Sequence, residues 1–141
     1  MDAVQPVLTT EANKKIAVRW FDEIWNQGRR ETIHELFGAE ADLHDGGFTI
    51  HGPGEFERFY DRICSAFSEH RFAPVVMLAE GDLVSIHWSA ICRHTESGKD
   101  VEFTGTSVAR IENGQVVEAW QDWDKARVEA QISGTSAVSF I

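Results

Sequence analysis

Tyrosine occurs once in this 141-residue chain, cysteine and methionine twice each, and proline three times. Each scarcity narrows what the protein can be. The two cysteines, Cys64 and Cys92, are far apart and each sits in an apolar pattern, so they read as buried reduced thiols, not as a disulfide framework. A cytoplasmic location is the corresponding expectation. Lysine and arginine together number 13 against 23 acids, and the formal net charge is −10. Nucleic acid and anionic membrane are therefore excluded as main partners, because both require a basic surface. No apolar run approaches the length of a bilayer span, and Met1 to Thr10 carries neither the positive nor the apolar region of an export signal.

Chemical motifs are sparse as well. No two of the six histidines have the spacing of a metal pattern such as H-E-x-x-H, and neither cysteine is grouped with them. A G-x-S-x-G elbow is missing. His51-Gly52-Pro53-Gly54 lacks the lysine and the strand-to-helix context of a phosphate loop. The expectation is a protein without metal or nucleotide cofactor.

What is present is apolar mass: 43% hydrophobic residues with nine Phe and five Trp, enough for one domain spanning 1–141, with its core at about 10–133. Residues 1–9 read as a lead-in, with Thr10 placed to cap a helix that runs to about Gln27 and stops at Gly28. Within it Ile16, Ala17, Trp20, Phe21, Ile24 and Trp25 form one apolar face. A short helix follows over about 30–37, then strand pieces at 41–45 and 48–51. The three-four spacing of Phe56, Phe59, Tyr60, Ile63, Cys64 and Phe67 predicts a third helix. Beyond it come four strand-like runs, 72–79, 83–93, 101–111 and 116–123, separated by short turns that imply antiparallel pairing. Helices first and a meander after predict an α+β fold, a cone-shaped, curved and mostly antiparallel sheet packed on about three N-terminal helices. Such a cone holds a natural pocket for an apolar small molecule.

The stretch Asn113 to Asp124 carries the candidate chemistry. A period of two sets Glu118, Trp120, Asp122 and Asp124 on one face and Val117, Ala119, Gln121 and Trp123 on the other. With the acids taken to face the cone, Asp124 at the strand end is the candidate acid/base and Asp122 its helper, because an enclosed carboxyl loses hydration and its pKa rises. Asp124 also precedes a helix-competent run, 125–131, and aspartate is a favoured N-cap, so both roles stand open. In 83–93 the apolar set Val84, Ile86, Trp88, Ala90 and Cys92 should face inward, which makes Trp88 a pocket wall and turns His87 outward. His34 and His70 read as surface residues of helix and loop. His44, at a strand end near the cone, is a candidate catalytic helper that lines the pocket, or else holds a structural hydrogen bond.

The order Trp25-Asn26-x-Gly28, Glu35-Leu36-Phe37, His44-Asp45, Gly54 with Phe56 and Phe59-Tyr60, Ala66-Phe67, Ala79-Glu80-Gly81-Asp82-x-Val84, His94-Thr95 and Gly114-x-Val116-x-Glu118-x-Trp120-x-x-x-Asp124 resembles the SnoaL-like polyketide cyclases of the nuclear-transport-factor-2-like superfamily. The resemblance implies an α+β cone, a homodimer formed through the sheet, and an aspartate acting as acid/base in an intramolecular aldol closure without metal or cofactor. By position that aspartate is Asp124. Trp25, Trp88 and Trp120 would wall the substrate site together with Phe59, and Ser107 stands where the cyclases can present an imidazole. Epoxide-hydrolase-like relatives resemble an Arg-x-Asp pair, which is absent here. Ketosteroid-isomerase-like ones need a tyrosine donor, and Tyr60, the single tyrosine, sits on a helix core face. The expected function is thus acid/base chemistry on an apolar carbonyl compound, plausibly a polyketide-type cyclisation. The alternative is a non-catalytic small-molecule-binding or dimerisation module of the same superfamily.

Overall fold

Why the apolar face of the first helix stays in register with the core is answered by a change of helix type. In the computed structural model, which describes residues 5–134, helix α1 spans Gln5–Arg19 and continues as a π-helical turn over Trp20–Asn26. The predicted lead-in and cap at Thr10 give way to a helix that already contains Thr10. A π turn carries more residues per turn than an α-helix. Here it presents Trp20, Phe21 and Trp25 together to the interior, with Gln27 N–H donating to the Asp22 carbonyl at 2.9 Å. Gly28, at φ +70°, then lets the chain leave the helix.

Helix α2 is Glu31–Leu36 and α3 is Gly52–Ala66. Both are tied to α1 by polar contacts around the core. Glu23 accepts from Arg19 at 2.7 Å and from Thr32 at 2.9 Å, and Arg19 holds its carboxyl down to about 2. Tyr60 of α3 donates its hydroxyl to the Ile24 carbonyl at 2.9 Å inside the π turn, and burial raises the phenol to about 12. Its ring stacks on Trp25 with centroids 5.0 Å apart.

Six strands form one sheet in the order β2-β1-β6-β5-β4-β3. They are β1 Phe37–Asp45, β2 Phe48–His51, β3 Phe67–Glu80, β4 Leu83–His94, β5 Asp100–Glu112 and β6 Gln115–Trp123. Pairing is antiparallel except for β1 on β6, which is parallel. Helix α4, Lys125–Ser133, follows β6. The fold is α+β, with a curved open sheet and its helices mostly N-terminal. The meander strands lie close to their predicted positions, but β3 starts at Phe67, five residues before the predicted Phe72. Two register shifts interrupt it, between Ser68 and Arg71 and between Pro74 and Val76. As an edge strand it tolerates both the bulges and Pro74. Part of its free edge is closed by a side chain: Asn26 donates to the Phe72 carbonyl at 3.0 Å, and Phe72 N–H donates back to Asn26 Oδ1 at 2.7 Å.

The inner face of β4 is the expected one, with Val84, Ile86, Trp88, Ala90 and Cys92 all buried and His87 on the other side. Trp88 lies across its cross-strand neighbour Gly105. A Cβ at Gly105 would fall 2.2 Å from Trp88 Cζ2 and 2.8 Å from the Asp122 carbonyl, so no larger residue fits without moving the indole. Overpacking of this kind costs about 1–3 kcal/mol. Gly105→Ala is therefore expected to destabilise the protein by roughly 2 kcal/mol in urea unfolding and to change the near-ultraviolet dichroism of Trp88. An unchanged midpoint and spectrum would contradict this packing.

Candidate functional site

The interior between the helices and the sheet holds two adjoining cavities that share Phe21 and Gln121. One, about 50 Å³, is walled by Trp20, Phe37, Leu43, Ile86, Ile111 and Val116 among others. Its neighbour, about 60 Å³, is walled by Trp25, Phe59, Phe72, Trp88, Phe103 and Trp123 among others. Four polar side chains interrupt these apolar walls: Ser107 and Gln121 in the first, and Gln121, His70 and Cys92 in the second.

Gln121 is positioned by Asp45, a carboxylate only 1% exposed at the end of β1. Asp45 accepts from Gln121 Nε2 at 2.7 Å, from Trp123 Nε1 at 3.3 Å and from Lys125 Nζ at 2.9 Å. With its amide nitrogen engaged, Gln121 has its carbonyl oxygen left for the cavity. Ser107 Oγ accepts from Trp88 Nε1 at 3.0 Å, which leaves the hydroxyl proton free to donate. Burial pushes the Cys92 thiol up to about 11 and the His70 imidazole below its ordinary value. At neutral pH both are uncharged.

Of the residues expected from the sequence, Trp25, Phe59, Trp88 and Ser107 stand on these walls. The acidic face of β6 does not. A register shift between Val116 and Glu118 breaks the expected alternation, so Val116 faces inward, and beyond it the inward set is Ala119, Gln121 and Trp123, while Trp120 is 37% exposed and Asp122 is exposed on the outer face. The buried Asp45 decides this, because its partners Gln121 and Trp123 must turn toward it. His44 also lies outside, bonded to Glu118 at 2.8 Å and to Thr49 at 3.0 Å, with its ring 5.8 Å from Trp120. Its structural role is the one the geometry supports. Asp124 is exposed and caps α4, its Oδ1 accepting from Arg127 N–H at 3.0 Å. It lines a separate open groove with Ser89, Glu102, Thr104 and Arg127, not the apolar chamber.

Sequence reasoning missed Asp45, Gln121 and His70. β3 begins at Phe67 and not at the expected Phe72, so His70 is strand and not loop; carried two residues back, the alternation that turns Phe72 inward also turns His70 inward. The bulge at Glu69, where φ is +54°, lets Phe67 face the same cavity. Among the described residues, no three His, Cys, Asp or Glu side chains gather as metal ligands would. No helix among them is long and apolar enough to cross a membrane.

An α+β cone with an apolar chamber between helices and sheet is the architecture of the ketosteroid-isomerase-like, or nuclear-transport-factor-2-like, fold. A protein of that fold from Catenulispora acidiphila, solved with trimethylamine, superposes with a TM-score of 0.77 at 17% identity, covering 87% of this chain and 95% of its own. A candidate SnoaL-like polyketide cyclase from Jannaschia gives 0.83 at 19% identity, with 96% and 99% covered. IdmH, a candidate polyketide cyclase from Streptomyces antibioticus, gives 0.76 at 21%, with 86% and 98% covered. These identities establish the fold alone. The SnoaL-like polyketide cyclase family matches residues 15–132, and the chain belongs to it. No curated protein matches the sequence significantly.

The geometry separates two roles for Asp124. Replacing an N-cap aspartate by alanine costs about 1 kcal/mol, whereas asparagine caps nearly as well. Asp124→Ala should lower stability by about 1 kcal/mol and Asp124→Asn by only a few tenths, as measured by chemical denaturation. A large loss of turnover in a stable Asp124→Asn protein would return the catalytic role to this residue.

Proposed function

We propose that the protein is a cofactor-independent acid/base catalyst acting on an uncharged, largely apolar carbonyl compound, with an aldol-type ring closure as its reaction. One observation carries this reading: every polar group on the chamber walls, Ser107, Gln121, Cys92 and His70, is uncharged at neutral pH. Such walls accept a neutral molecule with one or two oxygens, but they have no counter-charge for an ion, and burying an unpaired charge is costly. Ring closure of this type needs a base for the proton alpha to a carbonyl and a donor for the oxygen that becomes alkoxide. The free Ser107 proton is a suitable donor, and Trp88 fixes its direction.

A second reading, a non-catalytic binding module, is favoured by the use of Asp124 as a helix cap outside the chamber. Both readings require a neutral ligand inside. Titration of the indole N–H signals with 2-tetralone and with naphthalene-2-sulfonate should show the ketone binding at least about ten-fold more tightly, a difference of about 1.4 kcal/mol. Equal or preferential binding of the sulfonate would overturn the proposal.

We also infer a homodimer formed through the outer face of the sheet. Val76 and Leu78 of β3 are 52% and 67% exposed there, and Trp120 of β6 shares that face. Isolated apolar residues on a surface are ordinary, but a sheet face carrying several is the kind of surface partners cover. The wild type should sediment as a dimer, and Leu78→Glu should shift it to monomer while leaving the circular dichroism unchanged. A wild-type monomer would overturn the inference.

A further inference from the structure

His70 Nε2 is the one side-chain nitrogen or oxygen buried without a hydrogen-bond partner among the described residues. That position is costly, since an unsatisfied buried polar group forfeits about 1–3 kcal/mol of hydration. The fold nonetheless holds it firmly. Alternation back from Phe72 turns the ring inward, the Asn26 amide clamps the backbone two residues on at Phe72, and Trp25 meets the imidazole edge-on with centroids 5.5 Å apart. His70 lines a cavity whose other walls, Cys92 and Gln121 apart, are aromatic and aliphatic. An unsatisfied, dry polar atom on a side chain that lines an apolar cavity and is held by its neighbours is a group that a bound ligand can engage.

Resting on the reading of the chamber as a site for a neutral carbonyl compound, we propose that His70 is its proton-transfer residue, with Nε2 meeting the bound compound at the carbon alpha to the carbonyl. The neutral imidazole takes the alpha proton through Nε2, leaving an imidazolium and an enolate. The enolate carbon attacks a second carbonyl of the same molecule, forming the new carbon–carbon bond and an alkoxide. The imidazolium returns its proton to that alkoxide, which restores the neutral ring and yields the hydroxyl. No atom or electron is left over, and no second reactant is needed. The base must be neutral at working pH, and burial alone keeps His70 below the ordinary histidine value of 6.5. The one other titratable group on the walls of this cavity is the Cys92 thiol of β4, which burial keeps protonated. On either side of His70 in β3, Glu69 and Arg71 are exposed.

The test is hydrogen–deuterium exchange at the alpha carbon of 2-tetralone, followed by proton NMR in heavy water, with binding monitored in parallel on the indole signals. Wild-type protein should raise the exchange rate at least ten-fold over buffer. The rate should climb with pH as the imidazole loses its proton and level off above a midpoint below 6.5. His70→Phe should bind 2-tetralone and exchange at the buffer rate, and His70→Gln, which keeps a polar group in place, should behave likewise. If 2-tetralone binds but both variants exchange it as the wild type does, or the wild type gives no exchange, His70 is not the base and the ligand chamber stands. If 2-tetralone does not bind wild-type protein at all, the chamber reading fails and this proposal with it.

Discussion

The Asp45 carboxylate is buried at the end of β1, and a buried charge must be paired. Much of the architecture around the chamber follows from how it is paired. Two of its three donors, Gln121 and Trp123, are alternate residues of β6, and the third, Lys125, opens α4. Their convergence selects the inward face of β6 and sets where α4 begins. It also supports the sheet's one parallel pairing, in which Asp45 stands beside Gln121. The same contacts send Trp120 and Asp122 outward, so the acids that dominate this strand in sequence serve the surface and the carboxylate of another strand serves the interior.

The chamber itself depends on local departures from regular structure. A π turn brings three aromatic rings of one short segment to the cavity walls, and such turns are frequent at functional sites. A bulge in β3 lets Phe67 face the same cavity as His70, and Gly105 gives Trp88 the room to lie flat over β5 and reach Ser107. Each departure replaces a regular contact with a specific one: Tyr60 bonds a carbonyl of the π turn, and Asn26 closes the free edge of β3. Rigidity of this kind is what a site needs to hold a neutral ligand by few polar contacts.

Membership of the SnoaL-like family fixes the fold and the chamber but leaves the proton chemistry to be assigned residue by residue. In this chain the aspartate matched by position caps a helix beside an open groove, and the polar groups inside are a serine, a glutamine, a thiol and an imidazole. Of these, only an imidazole exchanges a proton readily near neutral pH.

Local pattern determined a large part of this protein. The helices, the four-strand meander, the inward face of β4 and the wall positions of Trp25, Phe59 and Trp88 were all legible, because three-four and two-residue periodicities report directly on burial. The chain's motif order carried the family. Only the tertiary structure decided which face of β6 looks inward, since alternation splits a strand into two faces without saying which one meets the core, and the deciding charge, Asp45, lies 76 residues earlier than its partner Gln121. His70 was hidden for a related reason. An early strand start places it, and that start is held by long-range contacts to β4 and to Asn26 that no local pattern records.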